Sequence, residues 1–417
     1  MNYIQEQTYK WLRIAFINLF IVALLGVVMR YKIAYSLPFI DQKGFMNAHS
    51  HFAFTGWISQ ALMVLMVNYL CSQANENIFK KYRWILIANL VSAYGMLFTF
   101  PWEGYGTISI IFSTLSIFIS YAFAFAFWKD LNKIKIRSVI HYWFYAALIF
   151  SIISSAGPFS LAYMMANHLR HPNFFLMSLY YFLHFQYNGW FFFACAGLFL
   201  SYLNAGAVSI KNQKIIFWLF AASCVPAYFL SALWLPISTL VYLVIVLAAI
   251  AQTAAGFLLV YWVIKKRKSL LLLFLPDSKW IMILSAIALS IKLILQLAST
   301  IPSLSTFAFG FRPIVIGYLH LVLLGMITLF IIGYSIANNL FLKNKLSNIG
   351  IYLFVAGIIA NEFLLMFQGA SYMSYVNVAN ISLWLLIAAA LLFIGALFIC
   401  IGQWRKEQFN ETRITSK

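Results

Sequence analysis

NAHSHFAFTGW, residues Asn47 to Trp57, opens a long apolar run and sets two histidines, His49 and His51, at its entrance. In hydrocarbon an imidazole must find a hydrogen-bond partner or a metal, because an unsatisfied polar group there is costly. The chain has only 7 histidines. Where the others fall decides whether the set is packing or the ligand set of a cofactor.

Working outward, the chain around this stretch is that of an integral membrane protein. Over 417 residues it is 64% hydrophobic, 19% aromatic and only 9% charged, against about 45–50% apolar and about 25% charged for soluble domains. The net charge of +19 is then an orientation signal, since no soluble basic domain exists to bind nucleic acid. Cys71, Cys195, Cys224 and Cys400 are scattered without CxxC spacing and read as small core hydrophobes. Lys10 and Arg13 precede an apolar run from Leu12 to Met29 without a small-residue cleavage site, which reads as a retained first span.

About 20 apolar residues cross a bilayer, which gives twelve spans: 12–30, 47–71, 84–101, 106–128, 141–163, 174–203, 214–235, 238–263, 279–299, 314–336, 349–368 and 380–403. Basic residues cluster in alternate connections: Lys80, Lys81 and Arg83; Lys129, Lys133, Lys135 and Arg137; Lys211 and Lys214; Lys265, Lys266, Arg267 and Lys268; Lys343 and Lys345; then Arg405 and Lys406. The positive-inside rule puts both termini in the cytoplasm. Arg30, Lys32, Lys43, Arg170 and Arg312 are the exceptions on the opposite side. No repeat of fixed period and no linker is evident, so residues 1–417 read as a single polytopic, all-α membrane domain.

On this map His49 and His51 open span two, His184 lies in the outer half of span six, and His320 lies just inside the outer end of span ten. His168 and His171 fall in the outer connection before span six, and His141 opens span five from the cytoplasmic side. Any one of them alone reads as a hydrogen-bonded packing residue. Three helices carrying histidine at similar depth point instead to haem, whose iron takes two imidazoles from opposite sides. Gly56, Gly317 and Gly325 would let a porphyrin approach the backbone. His49 and His51 point about 200° apart on a helix, so one iron takes only one of them. Matched depth with His320 favours His51, with His49 held by another partner.

Twelve spans with both ends cytoplasmic and histidines on spans two, six and ten resemble subunit I of the haem–copper oxidases and nitric-oxide reductases. The segment HxHxxxxG at His49, His51 and Gly56, with GYLHLVLLGMITL from Gly317, is also similar to membrane proteins of the nitric-oxide response called the NnrS type. The resemblance implies a b-type haem between His320 and His49 or His51, with Tyr318 in GYLH at the position of a second haem ligand. It implies the cell's inner (cytoplasmic) membrane, a respiratory-chain electron donor or a small gas ligand as partner, and electron transfer or handling of nitric oxide. Any turnover would be oxidoreductase chemistry.

Departures from that pattern limit copper. Span seven, IIFWLFAASCVPAYFLSALW, has no histidine pair, and only His184 in FLHFQYNGWFFF matches a copper-ligand position. Gln186 and Asn188 suit copper poorly, so no stoichiometric copper is expected in the core. Arg312 in GFRP, with Arg30 or Arg170, would pair with haem propionates or with lipid headgroups. His168 and His171 in NHLRHP would bind an exposed metal or stand solvated. Lys292 and Glu362 lie deep in spans nine and eleven. As a mutual pair they define an alternative, a secondary transporter. A cofactor-poor assembly partner of a respiratory complex is a third reading.

Overall fold

The computed structural model describes residues 3–135, 138–376 and 378–404, and all the regular structure in them is helical. The long helices are α1 (Tyr3–Ala34), α2 (Gln42–Ala74), α3 (Phe79–Glu103), α4 (Thr107–Leu131), α5 (Val139–Ala166), α6 (172–205), α7 (Gln213–Ala232) and α8 (Thr239–Lys265). A short α9 (Arg267–Leu273) precedes α10 (Pro276–Ala298), and a short α11 (Pro302–Gly310) precedes α12 (Arg312–Ala337), α13 (Lys345–Met373) and α14 (Ile381–Gly402). Eleven of them are long and apolar enough to cross a membrane. The remaining long helix, α6, has the length, but Tyr180, Tyr181, His184, Gln186, Tyr187 and Asn188 dilute its apolar run.

Local signals set the helix starts. The Asp41 carboxylate accepts from the Gly44 N–H at 2.5 Å to begin α2, and Asn344 and Ser347 form a reciprocal capping box at α13. Proline in the first turn begins α6, α10, α11 and α12.

Helix α2 is the axis of the bundle. In its most apolar window 89% of residues are buried, against 22% for α4, so α2 meets protein on every side while α4 faces outward. Helix α13 approaches α14 closely along its length: a Cβ at Gly395 would lie 2.5 Å from the Phe354 nitrogen, and one at Gly350 2.7 Å from the Ile399 nitrogen. Gly357 and Gly402 repeat this close approach one heptad further along their helices. Small residues that let backbones meet are how apolar helices associate where hydrophobic burial gives no drive.

The connections sort to two ends. At one end, Asp130 at the close of α4 accepts from Lys81 (2.5 Å), Lys133 (3.0 Å) and the Tyr82 hydroxyl (2.9 Å), which ties the 2–3 and 4–5 connections together. Tyr9 of α1 donates its hydroxyl to the Gln403 carbonyl, and Gln403 in turn holds Leu342 before α13. Both ends of the described chain therefore meet at one end of the bundle. Arg137, Arg405 and Lys406 lie outside the described residues. Replacing Asp130 by alanine orphans the buried Tyr82 hydroxyl and should cost about 1–3 kcal/mol. A drop in the detergent-melting midpoint reads this out, and an unchanged midpoint contradicts it.

Candidate functional site

Three π-helical segments stand out, Phe52–Ser59 in α2, Phe185–Phe191 in α6 and Leu321–Thr328 in α12. Each begins directly after a histidine: His51, His184 and His320. In every case a glycine follows five residues after the histidine, at Gly56, Gly189 and Gly325, and the three elements recur at nearly equal intervals along the chain. H-x4-G is thus a threefold local element that a search for a repeat of fixed period does not single out, because each copy is short and separated from the next by several helices.

The geometry repeats as well. Trp190, six residues beyond His184, donates to Ser59, eight beyond His51 (3.2 Å); Trp57, six beyond His51, donates to Thr328, eight beyond His320 (2.9 Å). Equivalent positions of the three elements are thus joined through α2 by two bonds of the same kind. A π turn skips α-helical hydrogen bonds, and in an apolar setting each freed carbonyl needs a partner. Asn18 donates to the Gly56 carbonyl (2.5 Å), Asn89 to that of Thr55 (3.0 Å), Ser285 to that of Met326 (2.7 Å) and the Cys224 thiol to that of Asn188 (3.8 Å). This accounts for Asn18, Asn89 and Ser285, buried polar residues that patterning alone did not flag.

Two clusters sit on this frame. In the outer one, the Nδ1–H of His49 donates to the Val22 carbonyl (3.1 Å) and that of His320 to the Ile316 carbonyl (2.8 Å). The Nε2 of both rings has no hydrogen-bond partner among the described residues. The two imidazoles are electrostatic neighbours of one another and of Arg30, which neighbours Arg312. Gly26, one turn before Arg30 on α1, faces His49: a Cβ there would lie 3.6 Å from its Cε1. Arg312 is exposed and contacts the Met46 sulfur (3.1 Å), and no ion pair joins either arginine to a carboxylate among the described residues.

His51 does not join this cluster. Its ring stacks on Phe100 (4.5 Å between centroids, 25°) and its Nε2 meets the Tyr105 hydroxyl (3.2 Å). The expected pairing of His51 with His320 by depth is not what the contacts show: His51 meets Phe100 and Tyr105, and it is His49, held on the Val22 carbonyl of α1, that neighbours His320. Gly317 and Gly325 serve helix packing, against Met366 (3.0 Å) and Ala288 (3.3 Å), and Gly56 lies under the Phe52 ring.

The inner cluster gathers around His184. Its Nε2–H donates to the Cys224 carbonyl (2.8 Å), its Nδ1 accepts from the Asn188 amide (3.0 Å), and the Cys224 sulfur is 3.9 Å from Nε2. Lys292 is buried beside it, 5.9 Å from the Phe192 ring centroid, and neighbours both Cys224 and His184. Tyr187 stands between His184 (6.5 Å) and Tyr318 (6.2 Å, edge to face).

Lys292 and Glu362 do not pair, which corrects the transporter pair. Glu362 hydrogen-bonds Asn361 (3.2 Å) and faces Gly317, while Lys292 faces α6 and α7. Helix α12 packs against both α10 and α13, the helices that carry these residues. Gln186 is drawn to Ser154 (2.8 Å), away from His184. His168, Arg170 and His171 are exposed, with His168 in a left-handed turn. All four cysteines are free thiols.

The helices and their apolar faces define a multi-pass, all-α membrane protein. No protein-family model matches the chain, and no curated protein matches it.

Proposed function

We propose that this protein is a b-type haem protein, ligated by His49 and His320 near the outer face of the inner membrane, with electron transfer or nitric-oxide handling as its task. The observation that carries the reading is a pair of neighbouring imidazoles whose Nδ1–H groups are fixed on backbone carbonyls, with no hydrogen-bond partner for either Nε2 among the described residues. Metal-binding histidines are held in this way: the second-shell acceptor sets the tautomer and the ring orientation. Arg30 and Arg312, without a carboxylate partner, suit the two propionates. Bound there, haem would supply a one-electron couple. In this reading the chain crosses the membrane twelve times, with α6 among the spans, and both termini are cytoplasmic on the positive-inside rule. It is a divergent member of the haem–copper oxidase and nitric-oxide reductase group.

Pyridine haemochrome assay of protein purified from haem-replete cells tests this. One haem b per chain is expected, and a pigment-free protein would overturn the reading and return the transporter and assembly-partner alternatives. Arg30→Gln should then lower the midpoint potential by on the order of tens of millivolts, because loss of a nearby cation favours the more positive ferric state. A rise, or no change, in a redox titration contradicts the propionate assignment.

A further inference from the structure

Between Asp130 and Asp277 the sequence contains no acidic residue, while it carries Lys211, Lys214, Lys265, Lys266, Arg267 and Lys268. The two bounding carboxylates are already taken, Asp130 by Lys81 and Lys133 and Asp277 by Lys343. Helix α7 begins, and helix α8 ends, at the basic end of the bundle. No carboxylate pairs with Lys211 or Lys214 there among the described residues.

The same two helices enclose an apolar groove. They pack on one another through Ala227, Leu230, Ile245, Ala248 and Ala249. From Pro226, towards the start of α7, a groove of about 540 Å³ runs to Lys214. Its facing walls are small, Ala222 and Ser223 on α7 and Ala248 and Ala251 on α8, and Ser223 turns its hydroxyl back onto the Leu219 carbonyl. The sole charged group along it is Lys214, at one end, with Trp218 (60% exposed) one turn further in.

We infer that this groove binds one acyl chain of an anionic phospholipid, whose phosphate is held by Lys214 and Lys211. From Lys214 to Pro226 is about 18 Å at the helical rise, against about 15 Å for one leaflet of hydrocarbon. Spread over that length, the volume gives a cross-section of about 30 Å². That is room for a hydrocarbon chain and too narrow for a partner helix, which is about 10 Å across. Charge selects the headgroup. A zwitterionic lipid brings its own cation and leaves the lysines unanswered, whereas an anionic one answers them, each basic residue near a membrane surface favouring it about fivefold. The Lys214 stem lies along the apolar wall while its ammonium reaches headgroup level, and Trp218 suits the interface beside it.

The site is independent of the haem reading. Purified full-length protein is equilibrated in detergent with equimolar phosphatidylglycerol and phosphatidylcholine of the same acyl chains, and bound lipid is counted by native mass spectrometry. One retained phosphatidylglycerol per chain is expected. Lys211→Gln with Lys214→Gln should weaken its retention about 25-fold, at about fivefold per lysine. Lys80→Gln with Arg83→Gln, which removes the same charge from exposed positions at the same end, should leave it unchanged. Ala222→Phe, at an exposed position on the groove wall, should abolish retention with both lysines in place and an unaltered size-exclusion profile. Equal retention of the two lipids, equal losses in the two double variants, or full retention by Ala222→Phe overturns the site. Displacement by glycerol phosphate at the lipid's own concentration would make it a soluble-phosphate site and overturns the acyl-chain assignment.

Discussion

His320→Ala and His49→Ala should each abolish the low-spin haem spectrum, while His51→Ala should keep it. Ligation by two imidazoles makes iron low spin, and removing either leaves an open coordination position. The Nε2 of His51 is committed to Tyr105 and its ring to Phe100, so it is not free to substitute. Second-shell changes cost metal sites about 10–100-fold in affinity, and loss of a ligand itself should exceed that. Reduced-minus-oxidised spectra of the three variants, made in parallel, read this directly. If His49→Ala keeps the bands and His51→Ala loses them, depth and not orientation chooses the ligand.

Gly395→Leu should prevent stable assembly of α13 on α14. The added side chain must enter space held by the Phe354 backbone, 2.5 Å from its nitrogen and 2.7 Å from its Cα, and backbone cannot step aside as a flexible side chain can. Overpacking of an ordinary core costs about 1–3 kcal/mol, and a backbone clash between two helices should sit at or above the top of that range. Yield after detergent extraction and size-exclusion chromatography should fall sharply. Gly104→Ala, at the C-cap of α3 with φ of +61° and open space around it, should cost about 1–3 kcal/mol through backbone strain alone without touching a helix interface, and serves as the comparison. Equal yields for the two variants would contradict the packing account.

Much of this architecture is legible in the sequence, because apolar length and alternating charge are imposed by the bilayer itself. Eleven helices long and apolar enough to cross a membrane fall where spans are expected, and the capping residues and prolines mark where several begin. What was not legible depends on rotation and adjacency. Whether His49 or His51 neighbours His320 is set by how α2 turns between α1 and α3, which residue spacing cannot report. The proposed pairing of Lys292 with Glu362 assumed that spans nine and eleven face one another, whereas Lys292 looks towards α6 and α7. The H-x4-G element was present at His51, His184 and His320, but its meaning lies in the π turns, which a uniform helical period conceals. Asn18, Asn89 and Ser285 follow from the same point, since they answer carbonyls that only a π turn exposes. A search for polar residues opposite each H-x4-G element would have found them.

The central claim, two imidazoles on one iron, is tested most directly by low-temperature electron paramagnetic resonance of the oxidised, purified wild-type protein. A low-spin ferric haem signal that persists in His51→Ala is expected. A spectrum with only high-spin iron, or none at all from protein assayed to contain no haem, would contradict it.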